Sequence, residues 1–267
     1  MNNDFNPLWK LTIRKSVMWK LTMQPLFRMT TLAVFISTIT ACGSGSSRAP
    51  VTSVTVAPAP VTPITSTLKV LAIGDSFFEW HVESQQSIPD EIGKALQTSV
   101  DNRAISGANF YAGASDDPEL INVKDQYEAG NWDWVVMTGG GNDVNDKCEC
   151  NSCDVVVDEL ISMDATTGEL PNLVNKMQQN GHKVVYVMYP EIAVGAEYGF
   201  SQCTEEFIEL EFRFNQLALN TKDFWFVSAS DVVPRGDNSY FVDDLVHPST
   251  KSTAVIGKYV AETIQSN

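Results

Sequence analysis

The chain has 267 residues, 43% of them hydrophobic and 19% charged, an ordinary globular composition that excludes global disorder. Its 18 basic residues stand against 33 acidic ones, a formal net charge of −15. That balance repels the phosphates of nucleic acid and the headgroups of anionic lipid, so no nucleic-acid partner is expected.

The N-terminus departs from this balance. Lys10, Arg14, Lys15, Lys20 and Arg28, with Asp4 as the only acid, lead into an apolar segment from Met29 to Ala41. At about 13 residues this segment is too short for a spanning helix of roughly 20, but it has the length of a signal-peptide core. It ends in Ile39-Thr40-Ala41-Cys42, which resembles the lipobox of bacterial lipoproteins: an aliphatic residue, two small residues and the cysteine that becomes the lipidated N-terminus. The resemblance implies cleavage before Cys42, with lipidation there. An exported protein anchored on the periplasmic or cell-surface face of a membrane is therefore expected, with Met18 or Met23 as the start of translation. Removing the five basic residues and one acid of residues 1–41 leaves 13 basic against 32 acidic, a net charge near −19. Membrane contact must then come through the lipid at Cys42.

Residues 43–66 are mostly Gly, Ser, Thr, Pro and Val with one charge, Arg48, and the prolines at 50, 58, 60 and 63 break any period. This composition makes residues 42–66 a tether whose extended reach is at most about 75 Å, at ~3.1 Å per residue. Residues 67–267 then form the folded domain.

From Leu68 short apolar runs alternate with helical stretches. Strands are predicted at Lys69–Ile73, Arg103–Ile105, Trp134–Met137, Lys183–Met188 and Phe224–Ser228, each a β-branched or aromatic run between turn residues. Helices are predicted at Ile88–Leu96, Leu170–Gln179, Thr204–Leu217 and Ser252–Ile264. Such alternation over about 200 residues indicates one α/β domain with a mostly parallel sheet covered on both faces. Ligands in such sheets bind at the carboxyl ends of the strands, so those ends are where function is sought.

The first strand runs into Gly74-Asp75-Ser76. Taken alone, that Ser is a helix cap as readily as a nucleophile, and the pattern is not the G-x-S-x-G elbow of the α/β-hydrolases. The third strand ends in Gly139-Gly140-Gly141-Asn142-Asp143. Its Asn offers a neutral N–H donor to a developing negative oxygen, although turn residues alone would account for the run. No Lys-Ser/Thr follows these glycines, which argues against a phosphate loop. Near the C-terminus lies Asp243-Asp244-Leu245-Val246-His247. A carboxylate three residues before a His can accept its Nδ1–H and leave Nε2 free to take a proton. Of the three histidines, His247 is the candidate base. His182, after Asn180-Gly181, reads as a surface turn residue, and His81 as a packing or substrate-rim residue.

Together these pieces resemble the SGNH, or GDSL-like, hydrolase family of serine esterases and lipases. Four elements carry the resemblance, in their usual order, across nearly all of residues 68–267. It implies a three-layer α/β/α sandwich with a five-stranded, mostly parallel sheet of flavodoxin-like type. It makes Ser76 the nucleophile, His247 the base and Asp244 the orienting acid. The oxyanion hole would comprise the N–H of Ser76, the N–H of Gly107 within Ser106-Gly107-Ala108, and the side chain of Asn142. No metal or organic cofactor is required. The substrate would be a small-molecule, lipid or acylated-glycan ester, and a monomer is expected. Two rival readings keep the same fold: an acyltransferase using the same acyl-Ser76 intermediate, and a non-catalytic surface-binding lipoprotein. The aromatics Phe77, Phe78, Trp80, Phe110 and Tyr111 could line an acyl pocket or belong to the core.

Cys148, Cys150, Cys153 and Cys203 remain. In a reducing compartment Cys-x-Cys-x-x-Cys with a distant fourth Cys would point to zinc, but in an exported protein an even set of thiols more often forms disulfides. Three pairings exist, and sequence does not choose among them. The favoured one closes a bridge inside 148–153 and ties the remaining cysteine to Cys203.

Overall fold

The computed structural model describes residues 68–111, 121–196 and 199–267. The signal segment, Cys42 and the tether lie outside the described residues. Five strands, β1 (Val70–Ile73), β2 (Val100–Asn102), β3 (Trp134–Met137), β4 (Lys183–Met188) and β5 (Phe224–Ser228), form one sheet in the order β2-β1-β3-β4-β5. Every neighbouring pair is parallel.

A parallel sheet needs cover on both faces, and alternation along each strand divides the core accordingly. Leu71, Ile73, Val135, Met137, Val184, Tyr186 and Met188 point to one side. There they meet residues of α3 (Gly141–Cys148), α4 (Asp154–Leu160), α5 (Glu169–Gln179) and α6 (Thr204–Asn220), among them Val144, Leu160, Leu173 and Phe214. Val70, Ala72, Trp134, Val136, Val185 and Val187 point to the other side, against α1 (Ser76–Glu79), α2 (Ile88–Leu96) and α7 (Thr250–Gln265). The last two helices approach closely because α7 carries Gly257 at the contact: a Cβ there would lie 2.4 Å from Glu91 Cβ. The expected three-layer α/β/α sandwich is the observed one.

The second strand needs a correction. It spans Val100–Asn102 rather than Arg103–Ile105. Its residues are all half-buried and two of the three are polar, so an apolar run does not mark it. The chain nevertheless follows β1 further, as Arg103 N–H donates to Ala72 O at 2.9 Å and Ile105 N–H to Gly74 O at 3.1 Å. His182 also departs from its reading as a surface turn residue. It is buried, and its Nδ1–H donates to the carbonyl of Trp132 at 2.9 Å.

Three helices were not evident in the pattern. The first, α1, is four residues long, too short to display a period. The glycines that open α3 read as a turn, and Val155-Val156-Val157 in α4 is β-branched, which lowers its helix propensity. Two disulfides fasten this region, Cys148–Cys153 and Cys150–Cys203, in agreement with the favoured pairing. The first joins the end of α3 to the residue preceding α4, and the second ties the turn between them to the residue preceding α6.

Along the chain β1 leads outward to β2, and the path then returns past β1 to β3. The strand order therefore reverses between β1 and β3, which opens a crevice at their carboxyl ends. Ser76 follows one of these strands and Asn142 follows the other.

Candidate active site

The turn after β1 is held from below. Gln126 is buried, and its amide grips Gly74 at both ends, accepting from Gly74 N–H at 2.7 Å and donating to Gly74 O at 2.8 Å. Gly74 has φ +154°, and a Cβ there would sit 2.4 Å from Thr138 Cγ2 at the end of β3. Only glycine lets these two strand ends come together. Asp75 then caps α1, its Oδ1 accepting the N–H of Phe77 at 3.0 Å, and Ser76 is the first helical residue.

The other carboxylate oxygen of Asp75 accepts the hydroxyl of Tyr189, which in turn accepts the N–H of Gly141 at 3.2 Å. Tyr189 follows β4, so one phenol links the first turn of the helix bearing Ser76 to the first turn of the helix bearing Asn142. The contact with Gly141 also satisfies one of the N–H groups left open at the start of α3. Burial raises the Asp75 carboxyl, against the bonds from Tyr189 and Phe77 N–H that lower it. Burial and the neighbouring Asp75 push the Tyr189 phenol well above its ordinary range, so it serves as a hydrogen donor.

His247 reaches this turn from the C-terminal segment. Its Nε2 lies 2.9 Å from Ser76 Oγ, and its Nδ1 lies 2.6 Å from Asp244 Oδ2. Asp244 Oδ1 also accepts the backbone N–H of Val246 at 2.8 Å and of His247 at 2.9 Å. Leu245, between them, takes φ +58°, which lets the carboxylate fold back onto the imidazole. Partial burial raises the Asp244 carboxyl, but the bonds from the His247 side chain and the two N–H groups outweigh it and hold the group below its usual range. An ionised Asp244 can only accept, so Nδ1 carries the proton and Nε2 presents its lone pair to Ser76. The arrangement can move a proton from a serine hydroxyl to an imidazole.

Asn142 and Asp143 brace the opposite wall. Asn142 Nδ2 donates to Ala108 O at 2.8 Å, which leaves its second N–H available. Asp143 Oδ1 accepts the N–H groups of Phe110 at 2.8 Å and Tyr111 at 3.1 Å. Gly107 is exposed and stands outside the pocket lining. Both of its neighbours are nevertheless tied to the site: Ala108 to Asn142, and Ser106, through its N–H and its hydroxyl, to Glu79 on α1.

Burial pushes the Asp143 carboxyl up to about 7, against the lowering bond from Phe110 N–H, and the nearby Asp75 adds to the rise. An unfolded carboxyl titrates near ~3.9. Between roughly pH 4 and 7 the folded protein therefore holds a proton that the unfolded chain releases, and stability from this group falls as pH rises through that window. The thermal midpoint of wild type relative to Asp143→Asn is expected to rise on going from pH 8 to pH 5. A constant difference across this range would count against the protonated Asp143.

Beside Ser76, Asn142 and His247 opens a pocket of about 50 Å³. Phe77, Tyr189, Ile192, Phe200, Phe207 and Phe241 form most of its apolar wall. Among the aromatics singled out in the sequence, Phe77 alone lines it. Phe78 and Phe110 are core, Tyr111 bonds to Val156 O at 3.3 Å, and Trp80 lies against His247. Tyr189 follows a strand and could have been found by inspecting every strand end. Phe200 and Phe207 lie far along the chain and carry no such signal.

The family profile of GDSL-like lipases and acylhydrolases matches residues 72–254, a span that holds Ser76, Asn142, Asp244 and His247. The chain belongs to this GDSL-like family. It is accordingly an ester hydrolase of the acylhydrolase type. No curated protein matches the sequence. Among solved structures, a GDSL-like lipase from Bacteroides thetaiotaomicron is 17% identical, with TM-score 0.53, covering 74% of this chain and 88% of the other. The inhibitor-bound aryl esterase of M. smegmatis is 18% identical, with TM-score 0.50, covering 75% and 99%. A family two carbohydrate esterase from Clostridium thermocellum is 16% identical, with TM-score 0.50, covering 75% and 64%. At these identities the likeness is one of fold.

Proposed function

We propose that this GDSL-like protein is a serine esterase acting through an acyl-Ser76 intermediate. What carries the reading is the relay from Asp244 through His247 to Ser76, with contacts of 2.6 and 2.9 Å, at the edge of an apolar pocket. Ser76 Oγ attacks the ester carbonyl while its proton passes to His247 Nε2, and Asp244 holds the imidazole and stabilises its charge. The negative oxygen of the tetrahedral intermediate is met by Ser76 N–H and the free N–H of Asn142, with Gly107 N–H as the third donor. As the C–O bond breaks, His247 returns the proton to the leaving alcohol. Water then repeats the sequence on the acyl-enzyme and releases the acid.

The narrow pocket favours a short acyl group. An apolar cavity of about 150 Å³ binds one benzene, so the smaller 50 Å³ pocket suits a short chain. Purified protein is expected to hydrolyse p-nitrophenyl acetate and butyrate faster than the octanoate ester. Asn142→Ala is expected to lower kcat by roughly 10²–10³ through loss of one oxyanion donor. Equal kcat in wild type and Asn142→Ala would remove Asn142 from the oxyanion hole, and no hydrolysis of any ester in the series would overturn the esterase reading.

A further inference from the structure

We propose that Trp80 is the positioning residue for His247 and that its ring stabilises the imidazolium formed during catalysis, an inference that rests on the serine esterase reading above. The indole and imidazole rings stack with centroids 3.7 Å apart and planes 4° from parallel.

The same residue is joined to the nucleophile. Trp80 is the C-cap of α1, and its N–H donates to Ser76 O at 2.9 Å. Positions 76, 79 and 80 are i, i+3 and i+4, one face of a helical turn. From that turn Ser76 meets His247 Nε2, Glu79 holds Ser106, and Trp80 covers the imidazole. The next residue extends the grip, since His81 Nε2–H donates to Pro248 O at 2.9 Å. Two consecutive residues, Trp80 and His81, thus hold two others, His247 and Pro248, from the far end of the sequence.

This contact bears on the reaction in two ways. The His247 side chain is 20% exposed and its Asp244 partner 40%, so the two hydrogen bonds hold the edges of the ring and the indole covers its face. The stack fixes the plane in which Nδ1 meets Asp244 and Nε2 meets Ser76. When Ser76 Oγ bonds to the carbonyl carbon, its proton arrives on Nε2 and the imidazole becomes a cation. An aromatic face attracts that cation more than the neutral ring. The interaction therefore strengthens as charge develops, which lowers the barrier and leaves substrate binding unchanged. Trp80 is absent from the pocket lining, which agrees with an effect on kcat rather than KM.

The test compares Trp80→Phe with Trp80→Leu, using p-nitrophenyl acetate hydrolysis and the rate of labelling by a fluorophosphonate. Trp80→Leu is expected to lose roughly 5- to 30-fold in kcat, with KM within about twofold and a parallel loss in labelling rate, while Trp80→Phe recovers most of both. Equal kcat in wild type and Trp80→Leu would overturn the proposal, as would equal losses in both variants or a loss appearing in KM alone. If Trp80→Leu fails to fold, Trp80→Phe decides with tryptophan emission, because a protonated imidazole quenches an indole stacked on it. Emission quenched on acidification in wild type and unquenched in Trp80→Phe is the expected result, and identical acid quenching in the two overturns it. Asp244 and Asp75 are the carboxylates whose charge acts on His247, and both are retained in these variants. Full activity in Ser76→Ala would instead defeat the esterase reading itself, whatever Trp80 does.

Discussion

Ser76→Ala is expected to reduce hydrolysis of p-nitrophenyl acetate by about 10⁵-fold or more, to a residue supplied by binding and the oxyanion donors alone. The hydroxyl is the atom that His247 Nε2 faces at 2.9 Å, and no water held in its place can match an oxygen fixed on the first residue of α1. Because nucleophile and base act as one unit, His247→Ala is expected to lose about as much, and the double variant no more than either. Multiplicative losses would mean that the two residues act in separate steps. A Ser76→Ala protein of near wild-type rate would place the chemistry elsewhere.

Asp244→Asn is expected to cost about 10⁴ in kcat while leaving the fold in place, the loss found when the orienting acid of such a triad becomes an amide. Asp244 takes three N–H groups, those of Val246, His247 and the imidazole. An amide oxygen can still accept the two backbone N–H groups. Its NH₂ would then face Nδ1 as a donor, which favours the tautomer with the proton on Nε2, so that nitrogen can no longer take one from Ser76. Steady-state kinetics of Asp244→Asn with a thermal melt as control checks this. Unchanged kcat with an unchanged melt would show that the carboxylate orients nothing.

Much of this architecture was legible because its determinants are local. The strands β1 and β3 are buried apolar runs, β4 is one after Lys183, and β5 is an aromatic run half-buried at Trp225 and Phe226, all bounded by turn residues; cover on both faces of the sheet is what makes them so. The edge strand β2 has two polar residues out of three and owes its place to pairing with β1, which lies about thirty residues away. Ser76 was visible in Gly74-Asp75-Ser76 at a strand end, and Asp244 with His247 through their spacing, since a carboxylate three residues before a His can fold back onto it. The parts assembled by tertiary contact were not. Gln126 holds Gly74, Tyr189 links Asp75 with Gly141, and Phe200 and Phe207 wall the pocket, yet nothing beside them in the chain announces these partners. Trp80 was visible as an aromatic near Ser76, but its partner is 167 positions further along. Similarly, the disulfide between Cys150 and Cys203 depends on α3, α4 and α6 sharing one face of the sheet.

The esterase account is tested most directly by mapping where a fluorophosphonate attaches to the purified protein. A single adduct is expected on the tryptic peptide containing Ser76, formed in step with loss of hydrolysis and greatly slowed in His247→Ala. An adduct on another residue, or full hydrolysis by protein whose Ser76 is completely labelled, would contradict it.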